Sequence, residues 1–123
     1  MRKYGLGKDE RIHGKALIDR IFRDGTPIYH YPIKAVVLKS EENNRVSNIL
    51  VSAQKRQFKK AVDRNLLKRR IKEAYRLNKG LLSKCPNSTW HIALLYSSKK
   101  IESYKQIDKA IKVILNTINK KES

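Results

Sequence analysis

The chain has 123 residues, about one domain, long enough for a single core without disulfide or metal support. Its 29 Lys and Arg against 11 Asp and Glu give a net charge of +18, and 40% hydrophobic with 33% charged residues fit a compact basic globule, not a disordered arm. That excess charge points to an acidic partner, nucleic acid first and anionic membrane next, and no apolar run approaches the ~20 residues of a bilayer span.

Residues 1–14 are polar and basic, broken by Gly5, Gly7 and Gly14, and read as an extended or poorly ordered lead-in, flexible over 1–10. The opening MRKYGLGKDE has no apolar segment of secretory type. Leu17, Ile18, Ile21 and Phe22 share one helical face and predict a first helix over about Lys15 to Arg23, closed by Gly25. Thr26 to Tyr29 reads as a short strand, interrupted near Pro32. Ile33 to Lys39 reads as a strand covered on both faces over much of its length, because its apolar character is nearly continuous. Glu41-Glu42-Asn43-Asn44 is a hairpin-type connection. Val46 to Ser52 is the next strand, with Ile49 and Val51 on one face and Val46 and Leu50 on the other.

Ala53 to Lys60 is a basic connection containing Phe58, and a central helix follows from about Lys60 to Asn78. Leu67, Ile71, Ala74 and Tyr75 fall on one side of it; Asn65, Lys68, Arg69, Lys72 and Arg76 fall on another, with Arg64 at the border. Gly80 reads as its terminator, and Leu81 to Thr89 as a loop marked by Pro86-Asn87-Ser88. Trp90 to Tyr96 is the last strand. Ser103-Tyr104-Lys105-Gln106 matches a capping box opening a final helix, whose apolar face is Tyr104, Ile107, Ala110, Ile111, Ile114, Leu115 and Ile118. The expected fold is α+β: a two-layer α/β sandwich in the order α-β-β-β-α-β-α, with the helices on one face of a small sheet. One RNA-binding domain over residues 1–123 accounts for it.

The sequence carries no convincing catalytic set of its own. His13, His30 and His91 have no Cys, His or acid beside them at metal-ligand spacing, and the aspartates are scattered. No Gly-rich phosphate loop is present. Cys85, the single cysteine, forms no intrachain disulfide, lacks an obvious base partner, and fits a reducing cytoplasm.

The stretch Lys55 to Lys79 is different. It holds eleven Lys or Arg against two acids, a net +9 and half the charge of the chain. A solvated helix face mixes signs to gain i,i+4 pairs. Here Lys60, Arg64, Lys68, Lys72 and Arg76 follow one another at i+4, and each pair repels. A polyanion would relieve that repulsion, so this helix is read as docking RNA or DNA. A second candidate is the sheet face where Lys34, with Ile18 and Phe22 from the first helix, could line a groove for single-stranded nucleic acid. Ile18 and Phe22 can equally be core, and both readings stay open.

At Phe58-Lys59-Lys60-Ala61-Val62-Asp63-Arg64-Asn65-Leu66-Leu67-Lys68-Arg69-Arg70-Ile71-Lys72-Glu73-Ala74-Tyr75-Arg76 the chain closely resembles the protein subunit of bacterial ribonuclease P. That family's signature is Ala-Val, one residue, Arg-Asn-Arg, a short gap, Lys-Arg and an Arg-x-Ala-Phe/Tyr ending. Arg11-Ile12, Ile18, Ile21-Phe22-Arg23 and Gly25 echo its N-terminal pattern, so the likeness covers roughly residues 11–76. The resemblance implies a left-handed β-α-β crossover, shared with a ribosomal-protein domain. It implies a cytoplasmic protein, monomeric and bound one-to-one to the catalytic RNA of ribonuclease P, helping that RNA remove the 5′ leader of precursor tRNA. The RNA would do the chemistry with Mg²⁺ ions that it holds itself. Carried over, Arg64, Asn65, Lys68, Arg69 and Lys72 become contacts to the catalytic RNA, and Lys55, Arg56, Lys59, Lys60 and Arg76 extend that surface. Arg11, Ile18, Phe22, Lys34 and Val36 become leader-cleft candidates. Two positions depart from the family. Leu66 replaces the third motif residue, usually Arg, with Arg70 a candidate substitute. Ile18 and Val36 stand where aromatics are common, which implies a cleft that grips the leader more by charge and shape. The rival readings are a ribosomal or other structural RNA-binding protein and, less compatible with the scattered acids, a protein-only nuclease.

Overall fold

The computed structural model describes residues 14–39, 48–84 and 90–122. The first helix, α1 (Lys15–Asp24), carries its apolar side chains on one face, as Leu17, Ile18 and Ile21 require. It stops at Gly25, whose N–H bonds back to the Ile21 carbonyl at 2.8 Å. A Cβ at Gly25 would lie 2.4 Å from that carbonyl oxygen and 2.7 Å from Val36 Cγ1. Only glycine lets the chain pass this close to the strand beneath it.

The strand β1 (Thr26–His30) and the strand β2 (Ile33–Lys39) form a hairpin through Tyr31 and Pro32, whose peptide bond is cis. Next come β3 (Asn48–Ala53), α2 (Ala61–Asn78), a 3-10 helix (Lys79–Lys84), β4 (Trp90–Tyr96) and α3 (Tyr104–Glu122). The Ser103 hydroxyl accepts the backbone N–H of Gln106 at 3.3 Å, the hydroxyl half of the expected capping box. The sheet order is β1-β2-β4-β3, antiparallel except where β3 runs parallel to β4. The parallel pair with α2 between them is a β-α-β unit.

Alternation of side chains divides the strands between two cores. Ile33, Ala35 and Val37 of β2, Ile92 and Leu94 of β4 and Ile49 of β3 face α2 and α3. There they meet Leu67, Ile71, Ala74 and Tyr75, and Ile107, Ile111, Ile114, Leu115 and Ile118. Val36 of β2 and Ala93 of β4 point the other way and are covered by Ile21 of α1, with Leu17, Ile18, Leu38 and Leu50 packed around them.

This corrects the expectation that the helices share one face. Two do, and α1 lies on the other. The physical reason is that β2 and β4 are apolar at both alternations, so the second face also needs cover. The loop expected from Leu81 also differs: the chain continues from α2 into the 3-10 helix. Leu82 is buried and Leu81 packs partly against the main core, and that burial outweighs the breaker at Gly80. The Asn78 amide donates to the Ala74 carbonyl and to Asp108 Oδ1, both at 2.7 Å, tying this end of α2 to α3. The expectations for the lead-in before Gly14, for Glu41–Asn44, for Val46 and for Cys85 to Thr89 lie outside the described residues.

Candidate nucleic-acid interface

The inward face of α2 decides its outward one. Leu67, Ile71, Ala74 and Tyr75 are buried, and that fixes the helix rotation. Asn65, Arg69 and Lys72 are then exposed and Lys68 half-buried, on one arc, as the wheel predicts.

Two anchors present the basic connection before the helix. Phe58 is buried and meets Tyr96 edge-to-face, with ring centroids 5.6 Å apart and an interplanar angle of 63°. Arg64 Nη1 donates to the carbonyls of Phe58 and Lys59, at 2.7 and 3.0 Å. Between and beside these anchors Lys55, Arg56, Lys59 and Lys60 are exposed and run directly into the helical arc. Arg64 thus has a structural task that its place in the motif did not reveal. An aromatic inside a basic run was the available signal for the Phe58 anchor.

The remaining basic residues of α2, Arg70 and Arg76, are engaged within the fold. Arg76 pairs with Glu73 one turn back. The hydrogen bond from Arg76 holds the Glu73 carboxyl below the usual carboxylate range and raises the guanidinium in turn. Arg70, the candidate substitute at the missing motif position, donates from Nη1 to the Glu102 carbonyl at 2.7 Å. It braces the segment before α3, so that nitrogen is committed to the fold. Leu66 is half-buried.

That segment is held from two more sides. The Tyr96 hydroxyl donates to the Lys100 carbonyl and accepts the Glu102 N–H at 2.8 Å, while burial pushes its phenol up. The Tyr31 hydroxyl donates to Glu102 Oε1 at 2.9 Å and lies 2.7 Å from Ser98 Oγ. The β1–β2 turn, β4 and α2 are therefore joined at one end of the sheet.

The leader-cleft candidates do not share one environment. Val36 is 7% exposed and forms the floor beneath α1. Ile18 is half-buried against the same small core. Phe22 is 47% exposed and Lys34 is exposed. Arg11 lies outside the described residues. Sequence reasoning passed over Tyr29, which is 56% exposed on β1.

Among the described residues no group of three or more His, Cys, Asp or Glu side chains could hold a metal ion. No helix there is long and apolar enough to cross a membrane.

A basic arc on a core-anchored helix, continuous with a basic connection, defines an α+β RNA-binding domain. The model of the family described as ribonuclease P matches residues 6–119. The ribonuclease P protein component of Porphyromonas gingivalis strain ATCC 33277 is 35% identical over 112 residues, covering 88% of this chain and 82% of that protein. Among solved structures, the Staphylococcus aureus RNase P protein superposes with a TM-score of 0.70 at 22% identity, over 93% of this chain and 98% of that one. The Thermotoga maritima RNase P protein gives 0.72 at 20% identity, over 88% and 96%. The chain belongs to the ribonuclease P protein family. It is a protein component of the ribonucleoprotein endoribonuclease that matures the 5′ end of tRNA, and its partner is ribonuclease P RNA. That enzyme is metal-dependent.

Proposed function

We propose that the two surfaces divide the work of this cofactor. The arc Asn65, Lys68, Arg69 and Lys72, with Arg64 at its edge and Lys55, Arg56, Lys59 and Lys60 before it, binds the catalytic RNA. Arg76, neutralised by Glu73, contributes least. The cleft between α1 and the sheet, with Phe22, Lys34 and Ile18 over a Val36 floor and Arg11 from the lead-in, holds the 5′ leader of precursor tRNA. Neutralising phosphates on both RNAs releases counterions and strengthens the assembly. Holding the leader keeps the scissile phosphate at the metal ions, which are Mg²⁺ bound mainly by the RNA. Phosphate contacts position without reading sequence, as suits an enzyme that processes many precursors. The protein works in the cytoplasm as a monomer, one per RNA.

The observation that carries this reading is the one-sided arc of α2, whose inward face is fully used by the core. Reconstitution tests it. Mixed with a bacterial ribonuclease P RNA at low Mg²⁺, the protein stimulates precursor-tRNA cleavage. Lack of stimulation would favour a purely structural RNA-binding role, and cleavage without the RNA would point to a protein nuclease.

A further inference from the structure

On the sheet side of the proposed cleft Val36 is buried under α1 and offers no face to a base, while the exposed ring Phe22 stands on the helix side. Strand register shows what the sheet side adds. Tyr29 of β1 is the direct partner of Lys34 on β2. Lys34 is opposite Leu95 on β4, and Leu95 is opposite Ser52 on β3. Direct cross-strand partners share a face. Their neighbours Ile28, Ile33, Ala35, Leu94 and Val51 all face the main core, so this row lies on the α1 side. It is the row next to Val36 and Ala93, just outside the small core that Ile21 covers. Across four strands the row is about 14 Å wide, from three strand spacings. Its β1–β2 end carries an exposed phenol ring and an exposed ammonium side by side, and its β4–β3 end is half-buried Leu95 and Ser52.

An aromatic face beside a cation is the pair that holds single-stranded nucleic acid: the ring stacks a base and the cation meets a phosphate. The opposite sign of charge on the occupant is set by the chain's +18. We infer that Tyr29 is the base-stacking residue on the sheet side of this protein's leader site, and that Lys34 holds the adjoining phosphate. The leader then leaves α1 across the outer edge strand of the sheet. This rests on the proposed leader cleft, and it adds an aromatic contact on the row beside the small core.

The test uses the reconstituted holoenzyme and precursor tRNAs with a long or a one-nucleotide leader, measuring Kd for each. The wild type binds the long-leader precursor more tightly. Tyr29→Ala and Tyr29→Leu reduce that preference at least about fivefold, the lower end of the range for one lost base stack, while Tyr29→Phe retains it. Lys34→Ala lowers the salt dependence of long-leader binding by about one ion. Tyr29→Leu keeps an apolar side chain on the edge strand, so it isolates the ring from the strand's folding. An unchanged preference in Tyr29→Leu, or an equal loss on both substrates, overturns the assignment of Tyr29. A wild type with no leader preference would instead overturn the cleft reading beneath it.

Discussion

The sheet's two faces are built to different specifications. Against α2 and α3 the strands bury a continuous core, in which Leu67, Ile71, Ile107, Ile111, Ile114, Leu115 and Ile118 are fully enclosed. Fully burying one such side chain contributes about 1.5–3 kcal/mol before entropic costs. Against α1 the buried apolar cluster among the described residues is just Ile21, Val36 and Ala93, and the row beside them stays open. One face holds the fold together. The other gives up apolar cover and keeps Phe22, Tyr29 and Lys34 exposed. The contrast teaches that α1 need not carry the stability of the domain, which frees its edges to meet a ligand.

The contrast breaks most visibly if the large core is damaged. Leu67→Ala should cost about 2–5 kcal/mol in urea unfolding, because Leu67 is fully enclosed in the main core. Leader preference, measured on the folded fraction, should be unchanged. Gly25→Ala acts on the other face. Its Cβ meets backbone and Val36, so α1 must shift, at about 1–3 kcal/mol by thermal denaturation. Here leader preference should fall as well, because α1 is one wall of the proposed cleft. Ser103→Ala removes the α3 cap and should cost about 1 kcal/mol, with RNA binding intact. Arg69→Ala should leave stability within about 0.5 kcal/mol. It should weaken binding to the catalytic RNA and lower its salt slope by about one. A full salt slope in Arg69→Ala would remove Arg69 from the phosphate contacts.

The parts legible in the sequence are those with local causes. The β-branched run of β2, the core stripe of α2 and the Ser103 cap each state their structure within a few residues. The parts that were not legible depend on distant partners. Nearly continuous apolar character in β2 says that both faces are covered, but not which helix covers each. Gly80 is a sound breaker locally, and only the core site awaiting Leu82 explains why the chain keeps turning. Helical periodicity sets Arg70 off the arc of Arg69 but does not say what it does there; the Glu102 carbonyl, far along the chain, supplies its role. The interface shows the same division. The arc of α2 follows from helical periodicity, whereas the placement of Tyr29 beside Lys34 needs the strand register.

The division of labour between the two surfaces can be read in one experiment. A photoreactive residue is placed at position 69 or, separately, at position 34 of the reconstituted holoenzyme with bound precursor tRNA. The account predicts crosslinks from position 69 to the catalytic RNA and from position 34 to the 5′ leader. Crosslinks from position 34 to the catalytic RNA alone, with none to the leader, would contradict it.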